Sequence, residues 1–234
     1  MIHRHTFQIL SLSALILLGA SACQPVSATV DALPAPTLDT PKTTTHDTRT
    51  AVLAGGCFWG IEAVFERVDG VREVTVGYSG GRADTASYDK VSRGYTGHAE
   101  SVKIEFDPAR VSYGKLLQVF FSVALDPTQK NRQGPDTGTQ YRSVIFHGDT
   151  RQKEIAEAYI AQLDAAHVFP APIATRVQPL RAFYPAEAYH QQYYDRHPAA
   201  PYIVINDMPK VHRLKALFPN LYRDPEKFVE VNLH

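Results

Sequence analysis

At 234 residues the chain suits one folded domain with an N-terminal segment to spare. Its 44% hydrophobic and 21% charged content is ordinary for a globular protein, and 24 basic against 24 acidic residues leave no net charge to draw nucleic acid or an anionic membrane surface. Two cysteines, Cys23 and Cys57, are too few for a disulfide framework or a thiolate zinc site.

Residues 1–23 read as an export signal. His3, Arg4 and His5 make a weakly basic start, and Ile9 to Ala20 is apolar but shorter than the roughly 20 residues a membrane-spanning helix needs. Ala20-Ser21-Ala22 then offers two readings. One is an ordinary signal-peptidase site. The other, which we favour, is a bacterial lipoprotein box that lipidates Cys23, because a cysteine at this place otherwise needs an accident. Either reading exports the domain to a periplasm, and lipidation would attach it to the membrane by that anchor alone. Residues 24–49 are rich in Pro, Thr, Ala and Asp without apolar periodicity, so they read as a flexible tether before a domain spanning 50–234.

Ala51 to Ala54 reads as a strand broken by Gly55-Gly56, and a helix from Cys57 carries Ile61, Val64, Phe65 and Val68 at helical spacing. Val71 to Tyr78 and Ala99 to Phe106 read as strands. Ser112 caps a helix bearing Leu116, Leu117, Val119, Phe120 and Val123, and Asp149 caps another through Ala166. Arg142 to His147 and Ile173 to Val177 complete the strands, and Lys210 to Phe218 closes the chain as a packed helix. Helices on a central sheet follow, but the long Gly-, Pro- and Tyr-rich loops argue against a regular doubly wound fold.

Cys57 stands out by its setting. Paired glycines permit a sharp turn, and a helix starting at Cys57 would place the sulfur among unpaired N–H groups, where the thiolate is stabilised. Phe58 and Trp59, the latter the chain's one tryptophan, offer an apolar wall beside it. A cysteine can also merely fill core, but the glycine pair and adjacent aromatics weigh against that here. Glu100 shares a strand face with Val102, Ile104 and Phe106. A carboxylate on an apolar face is desolvated, which raises its pKa and fits it to donate a proton. The competing reading is a carboxylate at a strand end reaching solvent or an arginine.

Gly-Cys-Phe-Trp-Gly at 56–60, Gly-Tyr-Ser-Gly-Gly at 77–81, Tyr-Thr-Gly-His-Ala-Glu at 95–100 and Gly-Thr-Gln-Tyr-Arg-Ser at 138–143 resemble the A-type peptide-methionine sulfoxide reductases. Phe-Tyr-Pro-Ala-Glu at 183–187 and His-Gln-Gln-Tyr at 190–193 extend the match, so the motifs run through residues 52 to 222 in order. The resemblance implies an α+β two-layer sandwich, a mixed central sheet with helices packed on it and long loops around the active site. It implies reduction of the S epimer of methionine sulfoxide, free or in oxidised proteins, as repair of oxidative damage. By the same resemblance Cys57 would become a sulfenic acid, Glu100 would donate the proton, Tyr88 and Tyr141 would bind the sulfoxide oxygen, Asp136 would belong to the same site, and Phe58 and Trp59 would hold the substrate methyl. It implies no bound cofactor and, as partner, an external thiol reductant, whether thioredoxin-like, glutaredoxin- or glutathione-like, or a small thiol. Many relatives carry further cysteines near the C-terminus, but 198–234 contains none, which resembles the branch with a single catalytic cysteine.

Two other enzyme classes are weaker readings. Ten histidines invite a metal hydrolase, but neither His98 with Glu100 nor His190 with His197 has the H-E-x-x-H geometry. A thiol peroxidase would also use one low-pKa cysteine and an acid. A non-catalytic binding lipoprotein would fold normally with an unreactive Cys57.

Overall fold

The computed structural model describes Met1, residues 32–41 and residues 43–224. The export segment with Cys23 lies outside these residues, apart from Met1. Among the described residues no helix is long and apolar enough to cross a membrane.

A six-stranded sheet organises the domain. Its strands in chain order are β1 (Arg49–Ala54), β2 (Val71–Ser79), β3 (Ala99–Phe106), β6 (Val144–His147), β7 (Arg176–Pro179) and β8 (Phe183–Pro185), arranged β7-β6-β1-β3-β2-β8. The short strands β4 (Arg132–Gln133) and β5 (Asp136–Thr137) form a separate hairpin. All pairs in the main sheet are antiparallel except β6 with β7, so the sheet is mixed, as expected. The helices are α1 (Phe58–Glu66), α2 (Tyr88–Val91), α3 (Tyr113–Val119), α4 (Thr150–Ala165), α5 (Tyr193–Arg196) and α6 (Met208–Leu217).

Strand alternation divides the core. Ala51 and Leu53 of β1, Val74 and Val76 of β2, and Val102 and Ile104 of β3 face the helices and pack with Ile61, Phe65, Leu116 and Tyr159. Val52, Ala54, Ala99, Val144 and Phe146 point the other way, under Leu180 and Phe183. One face therefore carries the main apolar layer, and the other is covered by loops. Ser112 caps α3 by accepting from the Lys115 N–H at 3.1 Å, and Asp149 caps α4 by accepting from Gln152 at 2.7 Å. Both caps agree with the sequence reading, each worth about 1 kcal/mol. A π-helical turn, Phe120–Ala124, prolongs α3 and brings Phe120 against Gly55.

Three expectations need correcting. The helix expected to begin at Cys57 begins at Phe58, with Cys57 in the capping position. The strand expected at Ile173 to Val177 is Arg176–Pro179, because β7 pairs in parallel with β6 and the register starts where Arg176 meets Val144. The supposed tether of 24–49 is in part docked. The Ser122 hydroxyl accepts from the Leu33 N–H, Gln118 and Tyr159 donate to the Leu33 and Pro34 carbonyls, and Gln162 binds Ala35 and Thr37. Asp39 accepts from the Ser112 hydroxyl at 2.5 Å and the Gly114 N–H at 2.7 Å. Leu33 and Leu38 pack on the main core. Low hydrophobicity argued for disorder, but the strap's backbone finds partners on α3, the turn after it and α4.

Candidate active site

The site is built around the turn between β1 and α1. Gly56 has φ +106°, a left-handed conformation that disfavours a side chain, and a Cβ there would lie 2.6 Å from the Gln133 side chain. This turn delivers Cys57 to the N-terminus of α1, 8% exposed, with Phe58 fully inside. On β3, Glu100 is 2% exposed and lies opposite Tyr78 of β2. Its Oε2 accepts from the Phe58 N–H at 3.1 Å. The strand phase read from the sequence thus puts the carboxylate against the first turn of the cysteine's helix. Burial, assisted by the negative charge of Asp136 and opposed by the Phe58 bond, raises the Glu100 pKa to about 8.

Cys57 behaves differently from the sequence expectation. Burial first, then the charges of Glu100 and Asp207, push its thiol pKa well up, and the Trp59 N–H and Lys210 only partly oppose them. The resting group is therefore a thiol.

Tyr88 opens α2 and is anchored by Glu187, which accepts from the Tyr88 N–H and from the Tyr78 hydroxyl, both at 2.9 Å. Tyr141 stands next to Arg142, whose guanidinium donates to the carbonyls of Gly97, His98 and Thr139. That one side chain ties the loop before Glu100 to the loop carrying Tyr141. Burial first, and then the charges of Glu100 and Cys57, raise the pKa of both tyrosines, so both stay neutral donors. Asp136 on β5 accepts from the Tyr202 hydroxyl.

The aromatic wall is larger than Phe58 and Trp59. Trp59 stacks on Tyr193 at 3.8 Å, meets Tyr202 edge-on at 5.8 Å, and donates through Nε1 to His190 Nδ1 at 3.3 Å. His190 also packs on Phe58 and Tyr88, and burial holds its pKa low, so it is a neutral member of the wall. Its place is fixed by Gln191, whose amide pairs with the backbone N–H and carbonyl of Val76 on the sheet. His98 is structural: its Nε2 contacts the Arg82 carbonyl at 2.9 Å while Nδ1 accepts from the Gly81 N–H. Among the described residues no three His, Cys, Asp or Glu side chains gather to hold a metal ion.

The structure sets Phe58, Trp59 and Glu100 about Cys57, packs Tyr88 on the same His190 that meets Phe58, and brings Tyr141 and Asp136 within reach of the Glu100 charge. Sequence reasoning missed His190, Glu187 and Tyr202 as residues of the site wall, and Asp207 and Lys210 as neighbours of the first turn of α1. Only the motif positions of Glu187 and His190 carried any signal for them.

Comparison with known proteins points the same way. The family model described as peptide methionine sulfoxide reductase matches residues 49–220. Peptide methionine sulfoxide reductase MsrA 2 of Mesorhizobium japonicum is 57% identical over 75% of this chain and 90% of its own length. Its namesake in Synechocystis is 56% identical over 74% and 81%. Among solved structures, methionine sulfoxide reductase A of Corynebacterium diphtheriae superposes with TM-score 0.57 at 35% identity, covering 71% of this chain and 87% of that one. The reduced form of Mxr1 from Saccharomyces cerevisiae gives 0.59 at 32% identity, over 68% and 91%.

Proposed function

The chain belongs to the peptide methionine sulfoxide reductase family and is an oxidoreductase that reduces methionine sulfoxide, and from that premise we propose how its residues divide the work. The observation that carries the proposal is the buried Glu100 carboxyl hydrogen-bonded to the first turn of the helix that begins beside Cys57. With a pKa of about 8, Glu100 is mostly protonated at neutral pH and can give its proton to the sulfoxide oxygen. The Tyr88 and Tyr141 hydroxyls donate hydrogen bonds to that oxygen as charge develops. Asp136 orders the wall through Tyr202.

Cys57 rests as a thiol, so its attack on the substrate sulfur is coupled to loss of its proton. Glu100, once it has given up its own proton, is the adjacent base. The Cys57 sulfur bonds to the substrate sulfur, and the oxygen then passes to Cys57. Thiol and sulfoxide become sulfenic acid and methionine, with no net proton consumed. Phe58 and Trp59 hold the substrate methyl, and a handed pocket of this kind selects one epimer, the S form. Regeneration falls to an external thiol, since the chain's one other cysteine is Cys23. Export, and lipidation at Cys23, rest on the sequence pattern of the first residues.

Separated S and R sulfoxides with a small thiol as reductant test the reading. The S epimer alone should turn over, and Cys57→Ser should abolish it. One turnover without thiol should add one oxygen to the intact mass. Equal use of both epimers, or turnover by Cys57→Ser, would overturn the assignment.

A further inference from the structure

Asp207 is the one carboxylate beside Cys57 that the reduction step leaves without a task. It ends the π-helical turn Ile203–Asp207, immediately before α6, and is wholly buried. Its Oδ1 accepts from Lys210 Nζ at 3.0 Å, while Oδ2 is buried with no hydrogen-bond partner among the described residues. A lone carboxylate oxygen in that state is costly, and burial raises the pKa of the group against the pull of Lys210, so Oδ2 gains by taking up a proton. The carboxylate lies against the first turn of α1: a Cβ on Gly60 would fall 2.1 Å from Oδ1 and 2.7 Å from Lys210 Nζ. Glu100 and Asp207 therefore both reach the start of α1, Glu100 through the Phe58 N–H and Asp207 at Gly60, and the charges of both act on the sulfur.

We propose that Asp207, with Oδ1 clamped by Lys210, uses its free Oδ2 to take the proton of the thiol that regenerates Cys57. In this step the reductant sulfur bonds to the Cys57 sulfur and the S–O bond of the sulfenic acid breaks. The oxygen leaves as water with a proton from Glu100, and the thiol proton passes to Asp207. Sulfenic acid and thiol thus become a mixed disulfide and water. A second thiol then reduces the disulfide, releasing Cys57 as a thiol and the reductant as its own disulfide. A chain whose domain holds one cysteine depends on thiols from outside, which mostly arrive protonated at neutral pH. A base against the first turn of α1, whose charge reaches the sulfur, answers that need by ionising them in place.

The inference rests on Cys57 carrying the sulfenic acid, and the two can fail separately. In Asp207→Asn, the burst of methionine in the absence of reductant reports whether fold and Cys57 are intact. Regeneration is then timed with two small thiols of similar size, one with a pKa near 10 and one largely ionised at the assay pH. The variant should lose roughly 10²-fold with the protonated thiol and no more than a few-fold with the ionised one. Lys210→Met, which frees Oδ1, should show the same pattern more weakly. Equal loss with both thiols, or no loss with either, would overturn the role of Asp207. No methionine burst from the unaltered enzyme would instead sink the sulfenic acid reading.

Discussion

Replacing Glu100 by Gln should make the protein more stable and much slower, and both effects follow from one buried proton. The amide keeps nearly the same shape, and its oxygen can still accept from the Phe58 N–H. It cannot deliver a proton, so single-turnover methionine release should slow by roughly 10²- to 10⁴-fold. The stability effect has a definite sign. The carboxyl pKa rises from 4.5 to about 8 on folding, so the folded state holds the proton more tightly than the unfolded one. The stability Glu100 contributes is fully present below about pH 4.5 and is lost as pH rises to about 8. At about 1.4 kcal/mol per pH unit, the penalty reaches about 3 kcal/mol at pH 7 and about 4 kcal/mol at pH 8, both upper bounds. Glutamine does not titrate and escapes it. Urea unfolding of both proteins at pH 5, 6, 7 and 8 should give curves that converge at the acid end and diverge with rising pH. A constant difference across that range would mean that Glu100 is ionised in the folded protein, and its role as proton donor would fall with it.

Gly60→Ala tests the approach of Asp207 to α1. Alanine would gain about 1 kcal/mol of helix propensity, but its Cβ 2.1 Å from Oδ1 must displace a buried, clamped carboxylate, so a net loss of about 1–3 kcal/mol is expected in chemical denaturation. A more stable Gly60→Ala would show that Asp207 yields freely. Starting the chain at Thr43 removes the strap, uncovering its partners Ser122, Gln118 and Gly114. Lost burial and hydrogen bonds outweigh the ordering entropy regained by about 1–3 kcal/mol, a fall of several degrees in Tm. An unchanged Tm would mean that the strap rests on the domain without stabilising it.

What could be read from the sequence was local. Glu100 was legible because a strand has a period of two and this strand is buried unevenly: Lys103 and Glu105 mark the outer face, Val102 and Ile104 the inner. Ser112 and Asp149 were legible because capping chemistry acts within three residues. Strand β8 escaped because it is a three-residue edge strand ending in Pro185, with too little pattern to register. The strap escaped because its partners lie 73 to 127 positions away and are mostly polar side chains, for which composition gives no sign. Asp207 reads only as an acid at the end of an apolar run; what matters is its approach to Gly60, about 150 positions earlier, which no periodicity encodes.

The error over Cys57 is instructive because the feature invoked is present and is outweighed. A helix N-terminus favours an adjacent anion by about 0.3–1 kcal/mol, and by about 2 kcal/mol in partly buried geometries. Full burial opposes ionisation by up to 3–5 pKa units, roughly 4–7 kcal/mol, before any neighbouring carboxylate is counted. Burial wins, and the thiol keeps its proton. This bears on the alternative of a thiol peroxidase, whose chemistry needs a standing thiolate to meet a small oxidant. Here ionisation is tied to a substrate oxygen that can accept the Glu100 proton and leave Glu100 free to receive the thiol's. A neutral Glu100 in the resting enzyme also withdraws one of the two charges that would otherwise oppose the thiolate. The proton that Glu100 gives to the substrate is thus what frees it to take the proton of Cys57.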